Sequence, residues 1–199
     1  MDPLGKKELI TFYNWHLTRF GDDPRAVRWT HQGQFWRYRT LLRVAGDLSG
    51  KSVLDFGCGK GDLYGYMQEK GIPGKYCGLD VNEKLITLAS RKHPGAEFIV
   101  MDIEEHDIER QFDVVLACGV FNLRIAGIEE SLKTVMKKLF RICRHAVHLN
   151  LLNHYIPVRN IDLFYVKPEE IMKFVSDECS RTASLLSERE DLFISIFKY

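Results

Sequence analysis

Short apolar runs alternate with amphipathic stretches along most of the chain. SVLDF (52–56), YCGLD (76–80), EFIVMD (97–102), FDVVLAC (112–118) and AVHLNLL (146–152) are apolar along most of their length and read as strands. Between them, helical spacing predicts helices at Asp62–Lys70, Glu83–Arg91 and Ile128–Cys143. The last is the clearest, with Ile128, Leu132, Val135, Leu139 and Ile142 on one stripe. Only HDIERQ separates the third and fourth runs, too little for a crossover helix. Strands apolar throughout and joined by helices predict a parallel sheet covered on both faces.

The ends of the chain carry a different pattern. Leu9, Tyr13, Leu17 and Phe20 keep helical spacing over 6–20, and GDDP closes that segment as a turn. A second helix is predicted over Gln34–Ala45, with Gly46 at its end. Pro168, followed by Glu169 and Glu170, opens a helix after the fifth strand. The tail from Arg181 reads as two strands joined by a charged turn, an antiparallel hairpin. Residues 153–167 have no clear element, and long loops of that kind tend to be functional.

Composition adds boundaries to this picture. The chain has 199 residues, enough for one domain with a full core. A net charge of +1 argues against a broad nucleic-acid footprint. The five cysteines are widely spread and form no metal-binding spacing, which fits reduced thiols. The first residues lack the apolar stretch of a signal peptide, and VVLACGVF is too short to span a bilayer. The expectation is a cytoplasmic protein with no membrane segment and no metal.

VLDFGCGKGDL (53–63) places Gly57, Gly59 and Gly61 in the turn after the first strand, where an open parallel sheet holds its ligands. A dinucleotide fingerprint would want a third glycine where Asp62 stands, and no Walker loop is present. The carboxylate of Asp55 would repel a phosphate. S-adenosylmethionine has a sulfonium, an ammonium and a carboxylate but no phosphate. Its amino-acid end could lie on the bare backbone of Gly57, Cys58 and Gly59, with Asp55 attracting the ammonium. A nicotinamide-binding domain with an unusual third glycine is the alternative.

DFGCGKG at 55–61 resembles motif I of the class I S-adenosylmethionine-dependent methyltransferases. The wider pattern resembles small stand-alone bacterial-type members whose substrates are unassigned. It runs through WTHQGQFWRY (29–38), LDVN (79–82), CGVFNLR (118–124) and HLNLLN (148–153). The resemblance implies a Rossmann-like fold: a mostly parallel seven-stranded sheet with helices on both faces and a C-terminal antiparallel hairpin. A single domain, 1–199, would then divide into a helical cap (1–50) and a core (51–199). The resemblance also implies that Asp80, beside Val81, takes both ribose hydroxyls, as two adjacent hydroxyls suit one carboxylate. By the same resemblance, Asp102 reads the adenine amino group between Met101 and Ile103, and Cys118 borders the reactive methyl.

CGVFNLR lacks the Asn/Asp-Pro-Pro-aromatic motif of adenine and glutamine methylases. Cys118 lacks the preceding proline of the RNA cytosine-C5 enzymes. Arg37, on the helix before the first strand, is the candidate partner of the methionine carboxylate. His154, Tyr155 and Asn122 are the candidate catalytic residues, with His154 as general base and His16 and His31 as rivals; a reaction with no base at all is the plainer alternative. The expected activity is methyl transfer to oxygen or nitrogen of a small molecule, leaving S-adenosylhomocysteine. Two alternatives stand beside it. One is an RNA methyltransferase using Arg25, Arg28, Arg37, Arg39 and Arg43 with Lys133, Lys137, Lys138, Arg141 and Arg144; the other is a silent cofactor-binding partner subunit.

Overall fold

The computed structural model describes residues 1–198. Its helices are α1 (Pro3–Phe20), α2 (His31–Ala45), α3 (Asp62–Glu69), α4 (Glu83–Lys92), α5 (Ile128–Ile142) and α6 (Pro168–Glu178). Its strands are β1 (Ser52–Phe56), β2 (Lys75–Asp80), β3 (Glu97–Val100), β4 (Phe112–Cys118), β5 (Cys143–Asn153), β6 (Tyr165–Val166), β7 (Ala183–Glu188) and β8 (Asp191–Phe197). A 3-10 turn, Pro24–Val27, links the first two helices. The sheet runs β3-β2-β1-β4-β5-β8-β7, with β6 paired to β5. Strands β1 to β6 pair in parallel, and β8 is antiparallel to both β5 and β7.

The expected α/β class, Rossmann-like arrangement and terminal hairpin are present. The strand count differs from the expected seven: the loop after β5 contributes the two-residue strand β6, whose only ladder partner is β5. Several element ends also move. β3 stops at Val100, and the Met101 N–H makes the last bond along β2, to the Asp80 carbonyl at 3.0 Å. β5 begins at Cys143, directly against the end of α5. Caps set the helix starts: Asp2 accepts the Leu4 N–H at 2.8 Å, and Thr30 accepts the Gly33 N–H at 3.1 Å.

The two faces of the sheet bury different sets. Val53, Leu63, Tyr66, Met67 and Tyr76 pack with Trp36, Leu41 and Leu42 of α2 on one side. Leu54, Phe56 and Val115 pack with Leu132, Val135 and Met136 of α5 and Ile171 and Val175 of α6 on the other. Strand order reverses between β1 and β4, so the chain ends leaving these two strands part and open a crevice. α1 closes over that crevice. A Cβ on Gly5 would stand 2.4 Å from the Ala126 carbonyl oxygen, so the glycine permits close docking of the helix on the loop before α5.

Candidate functional site

A cavity of about 140 Å³ opens at the carboxyl ends of β1, β2, β3 and β4. Its wall includes the Gly57–Lys60 turn, Asp80 with Val81, the Met101–Glu104 segment and Cys118–Phe121. Lys6, Leu9 and Tyr13 of α1 cover one side, and Trp29, Gln34 and Tyr38 cover the other.

The glycine turn is held from below. Gly57 and Cys58 donate their N–H groups to the Leu79 carbonyl at 2.7 and 3.0 Å. Gly57 has φ +69°, and a Cβ there would meet Val120 Cγ2 at 2.5 Å, so the β1 and β4 tips touch only because this residue lacks a side chain. Gly59 donates its N–H to Asp80 Oδ2 at 2.9 Å, while Asp80 Oδ1 accepts the Asn82 N–H at 2.8 Å. Burial pushes the Asp80 carboxyl upward, against the pull of these backbone donors. Each carboxylate oxygen has a second lone pair, so Asp80 can still accept two hydroxyls.

Asp102 pairs with Lys6 and accepts the Glu104 N–H at 2.8 Å. Burial raises its carboxyl, but these partners outweigh burial and hold it below the usual range. Burial and the charge of Asp80 push the Tyr13 phenol up to about 12, so Tyr13 remains a neutral hydrogen-bond donor. Cys118 also lines the cavity, and burial raises its thiol well above the ordinary value, which makes it no nucleophile.

Five candidates lie elsewhere than the sequence suggested, and Asn122 also falls outside the cavity. Asp55 is not on the cavity wall. Strand alternation turns it toward α3, where the Tyr76 hydroxyl donates to it at 2.6 Å. Arg37 is likewise off the wall, its guanidinium engaged by Asp191 through two bonds of 2.8 Å. His154 faces a second groove, between α5 and α6, and Arg159 lies 2.9 Å from its Nδ1. The loop after β5 pairs with the segment that leaves the cavity wall, Phe164 donating its N–H to the Asn122 carbonyl and Arg124 donating to the Asp162 carbonyl, both at 2.9 Å, and it contributes no residue to the lining. Tyr155 of this loop bonds Glu169. The lining ends at Phe121, one residue before Asn122, whose Oδ1 is buried without a partner. Gly61 starts α3 at φ +76° and is not part of the wall.

Of the rivals, His31 is exposed beside Asp23, and His16 bonds the Phe12 carbonyl at 2.9 Å. No histidine lines the cavity. Sequence reasoning missed Lys60 and Asp62 as wall residues, although both stand in the glycine motif. Lys60 is 2% exposed and satisfied by Asp62 at 2.7 Å and Asp22 at 3.1 Å. Gln34 donates to Asp62 at 2.9 Å, which ties α2 to the same turn.

The donor set tests the expected cofactor. Asp62, Asp80, Asp102 and Glu104 line the cavity against Lys6, Lys60 and the Met1 amino group, and all three cations are already paired with carboxylates. Such a wall repels a pyrophosphate and suits a ligand with a sulfonium and an ammonium. S-adenosylmethionine fits these residues. Asp80 would hold the ribose, Asp102 with Met101 and Ile103 the adenine, and the Gly57–Gly59 backbone the amino-acid end. Among the described residues no cluster of His, Cys, Asp and Glu could hold a metal ion, and no helix is long and apolar enough to cross a membrane.

Residues 53–146 match a family model described as a methyltransferase domain. A phthiotriol/phenolphthiotriol dimycocerosates methyltransferase of Mycobacterium leprae is 31% identical over 155 residues, covering 73% of this chain and 54% of that one. The enzyme of the same name from Mycobacterium tuberculosis is 39% identical over 123 residues, covering 57% of this chain and 43% of that one. The chain thus spans about half the length of these relatives. Among solved structures, magnesium protoporphyrin IX methyltransferase from Synechocystis PCC 6803, with bound S-adenosylmethionine, superposes with a TM-score of 0.70 at 18% identity. That superposition covers 98% of this chain and 97% of the other, and it shows a shared fold.

Proposed function

We propose that the chain is a class I S-adenosylmethionine-dependent methyltransferase, a reading supported by the methyltransferase-domain match over residues 53–146 and by the shared fold, and that it methylates an oxygen or nitrogen of a small molecule. The observation that carries this reading is the acidic, glycine-floored cavity at the β1/β4 switch point. When bound, the cofactor supplies a methyl carbon activated by its sulfonium. The chain's residues position and enclose. Asp80 and the Gly57–Gly59 backbone hold the donor, while Trp29, Tyr38 and Val120 exclude water around the end of the cavity beside Gly57.

With no histidine on the wall, the reading favours an acceptor that arrives as a neutral amine or an already ionised oxygen. Tyr38 is kept neutral, since burial first and then Asp62 raise its phenol well above 10. It can donate a hydrogen bond but cannot remove a proton. The dimycocerosate and porphyrin named for the relatives support a small-molecule acceptor over a macromolecule.

The RNA reading has less support. Of the five arginines, Arg25, Arg28, Arg37 and Arg43 pair with Asp23, Asp162, Asp191 and Glu188, and Arg39 stands exposed. Lys133, Lys137, Lys138, Arg141 and Arg144 are likewise paired with acids. A face of paired charges leaves few cations for phosphates.

The test is incubation with methyl-labelled S-adenosylmethionine and a metabolite extract, then with total RNA. Label in a small-molecule fraction is the expected outcome. Label in RNA alone, or in neither, would overturn the assignment.

A further inference from the structure

The correction at Arg37 opens onto a longer chain of contacts. Asp191, the first residue of β8, is fully buried, and a lone carboxylate there would be costly. Arg37 of α2 gives it a bidentate partner, with Nε on Oδ1 and Nη2 on Oδ2, both at 2.8 Å. Asn150 Nδ2 of β5 donates to the same Oδ1 at 2.5 Å. Asn150 Oδ1 in turn accepts the Gly119 N–H at 2.6 Å. Gly119 follows β4 directly and lines the cavity between Cys118 and Val120.

The order of these bonds has a direction. A side-chain amide can present either its oxygen or its nitrogen to a neighbour. The carboxylate of Asp191 accepts only, so it selects the NH₂ group of Asn150. The amide oxygen must then face Gly119. Were Asp191 uncharged or displaced, Asn150 could turn over, and the half-buried Gly119 N–H would face a donor.

Arg37 reaches the same turn by a second route. Its guanidinium lies over the Trp29 ring at 5.1 Å from the centroid. Trp29 is seated on Gly119 so closely that a Cβ there would stand 2.2 Å from Cζ2. The backbone of the β4 tip and the Trp29 ring seated on it are therefore both referred to one arginine.

We infer that Arg37, Asp191 and Asn150 form a positioning relay that sets the Gly119–Val120 turn, and with it the wall facing the donor's reacting end. The inference rests on the proposed function for its consequence, but the relay itself is a property of the chain's own residues. None of the three residues lines the cavity, so they act through Gly119 and Trp29.

The test uses the full chain labelled with ¹⁵N and reads the Gly119 amide by NMR exchange. Arg37→Lys keeps the charge and removes the fork; Arg37→Gln is the second variant should the first fold poorly. Protection of the Gly119 amide is expected to fall about tenfold in either variant. The amides of Leu116 and Leu149 should keep their rates. Titration calorimetry with S-adenosylhomocysteine should show a matching loss of affinity. Unchanged protection at Gly119, or a loss shared equally by Leu116 and Leu149, would overturn the relay. If the parent chain fails to bind S-adenosylhomocysteine, the proposed function fails, and the exchange result still decides the relay by itself.

Discussion

Lys60 Nζ lies 2.7 Å from the Asp62 carboxylate, an ion pair closed inside the turn that carries the glycine motif. Asp62 also takes Lys92 at 2.8 Å, and Asp22 joins both lysines from the turn after α1. Where a dinucleotide fold needs a glycine for helix packing, this chain has a charge that pins its N-terminal helix to the sheet. Asp62→Ala would leave Lys60 buried with one exposed partner, at a cost of about 2–4 kcal/mol. Thermal unfolding should drop by roughly 5–10 °C. An unchanged midpoint would remove the pair from the account.

Two buried groups bend stability with pH in opposite senses. Burial pushes the Asp55 carboxyl from 3.8 up to about 7, against the Tyr76 hydroxyl that pulls it down. Between those values the folded chain holds more protons than the unfolded one, so this group lowers stability as pH rises, levelling off above about 7. Burial, and then Lys51, lower His148 from 6.5 to about 4. There the unfolded chain holds more protons, so stability is lost as pH falls through that window. Asp55→Asn keeps an acceptor for Tyr76 and removes the first slope. Its midpoint relative to the parent should climb between pH 4 and 7, by up to roughly 4 kcal/mol in stability terms. A flat difference across that range would show that Asp55 is not buried in this way.

Gly57 and Gly59 separate folding from binding. Gly57→Ala drives a methyl into Val120 at 2.5 Å and should cost about 2–4 kcal/mol of stability. Gly59→Ala meets only Val27 Cγ1, at 3.6 Å across the cavity, and pays mainly for its left-handed backbone, about 1–2 kcal/mol. Its methyl takes space the ligand needs. Calorimetry should therefore show Gly59→Ala folded but deaf to S-adenosylhomocysteine; full affinity in that variant would displace the ligand from the turn.

His154 stands in the α5–α6 groove and has no view of the cavity. His154→Ala should leave methyl transfer to the labelled small-molecule fraction within about twofold of the parent, since no proton transfer is assigned to it. A hundredfold loss, against a typical general-base contribution of about 10²–10⁴, would restore it as base.

The parts of this molecule legible in its sequence are those decided locally. Ser52–Phe56 and Phe112–Cys118 were readable to the residue, since each is an apolar run bounded by turn formers. Asp80 closes β2 and Asp102 stands two residues past β3, so the resemblance that singled them out points to residues that both lie on the cavity wall. The misplacements share one cause: a partner far away in sequence. Arg37 is claimed by Asp191, 154 residues later, and no local pattern announces that bond. Asp55 was assigned from its place in the motif, whereas strand alternation and Tyr76 decide its face. The direction of the loop after β5 depends on Val166 accepting the His154 N–H at 2.9 Å, again a tertiary choice.

The account's central claim is that Asp80 and the glycine turn hold a phosphate-free sulfonium nucleoside. Calorimetric titration of S-adenosylhomocysteine and of NAD into the parent and Asp80→Ala chains tests it most directly. Saturable binding of S-adenosylhomocysteine to the parent, roughly tenfold to a hundredfold weaker without the Asp80 carboxylate, and no heat from NAD, is the predicted result. Binding of NAD, or equal affinity of both chains for S-adenosylhomocysteine, would contradict it.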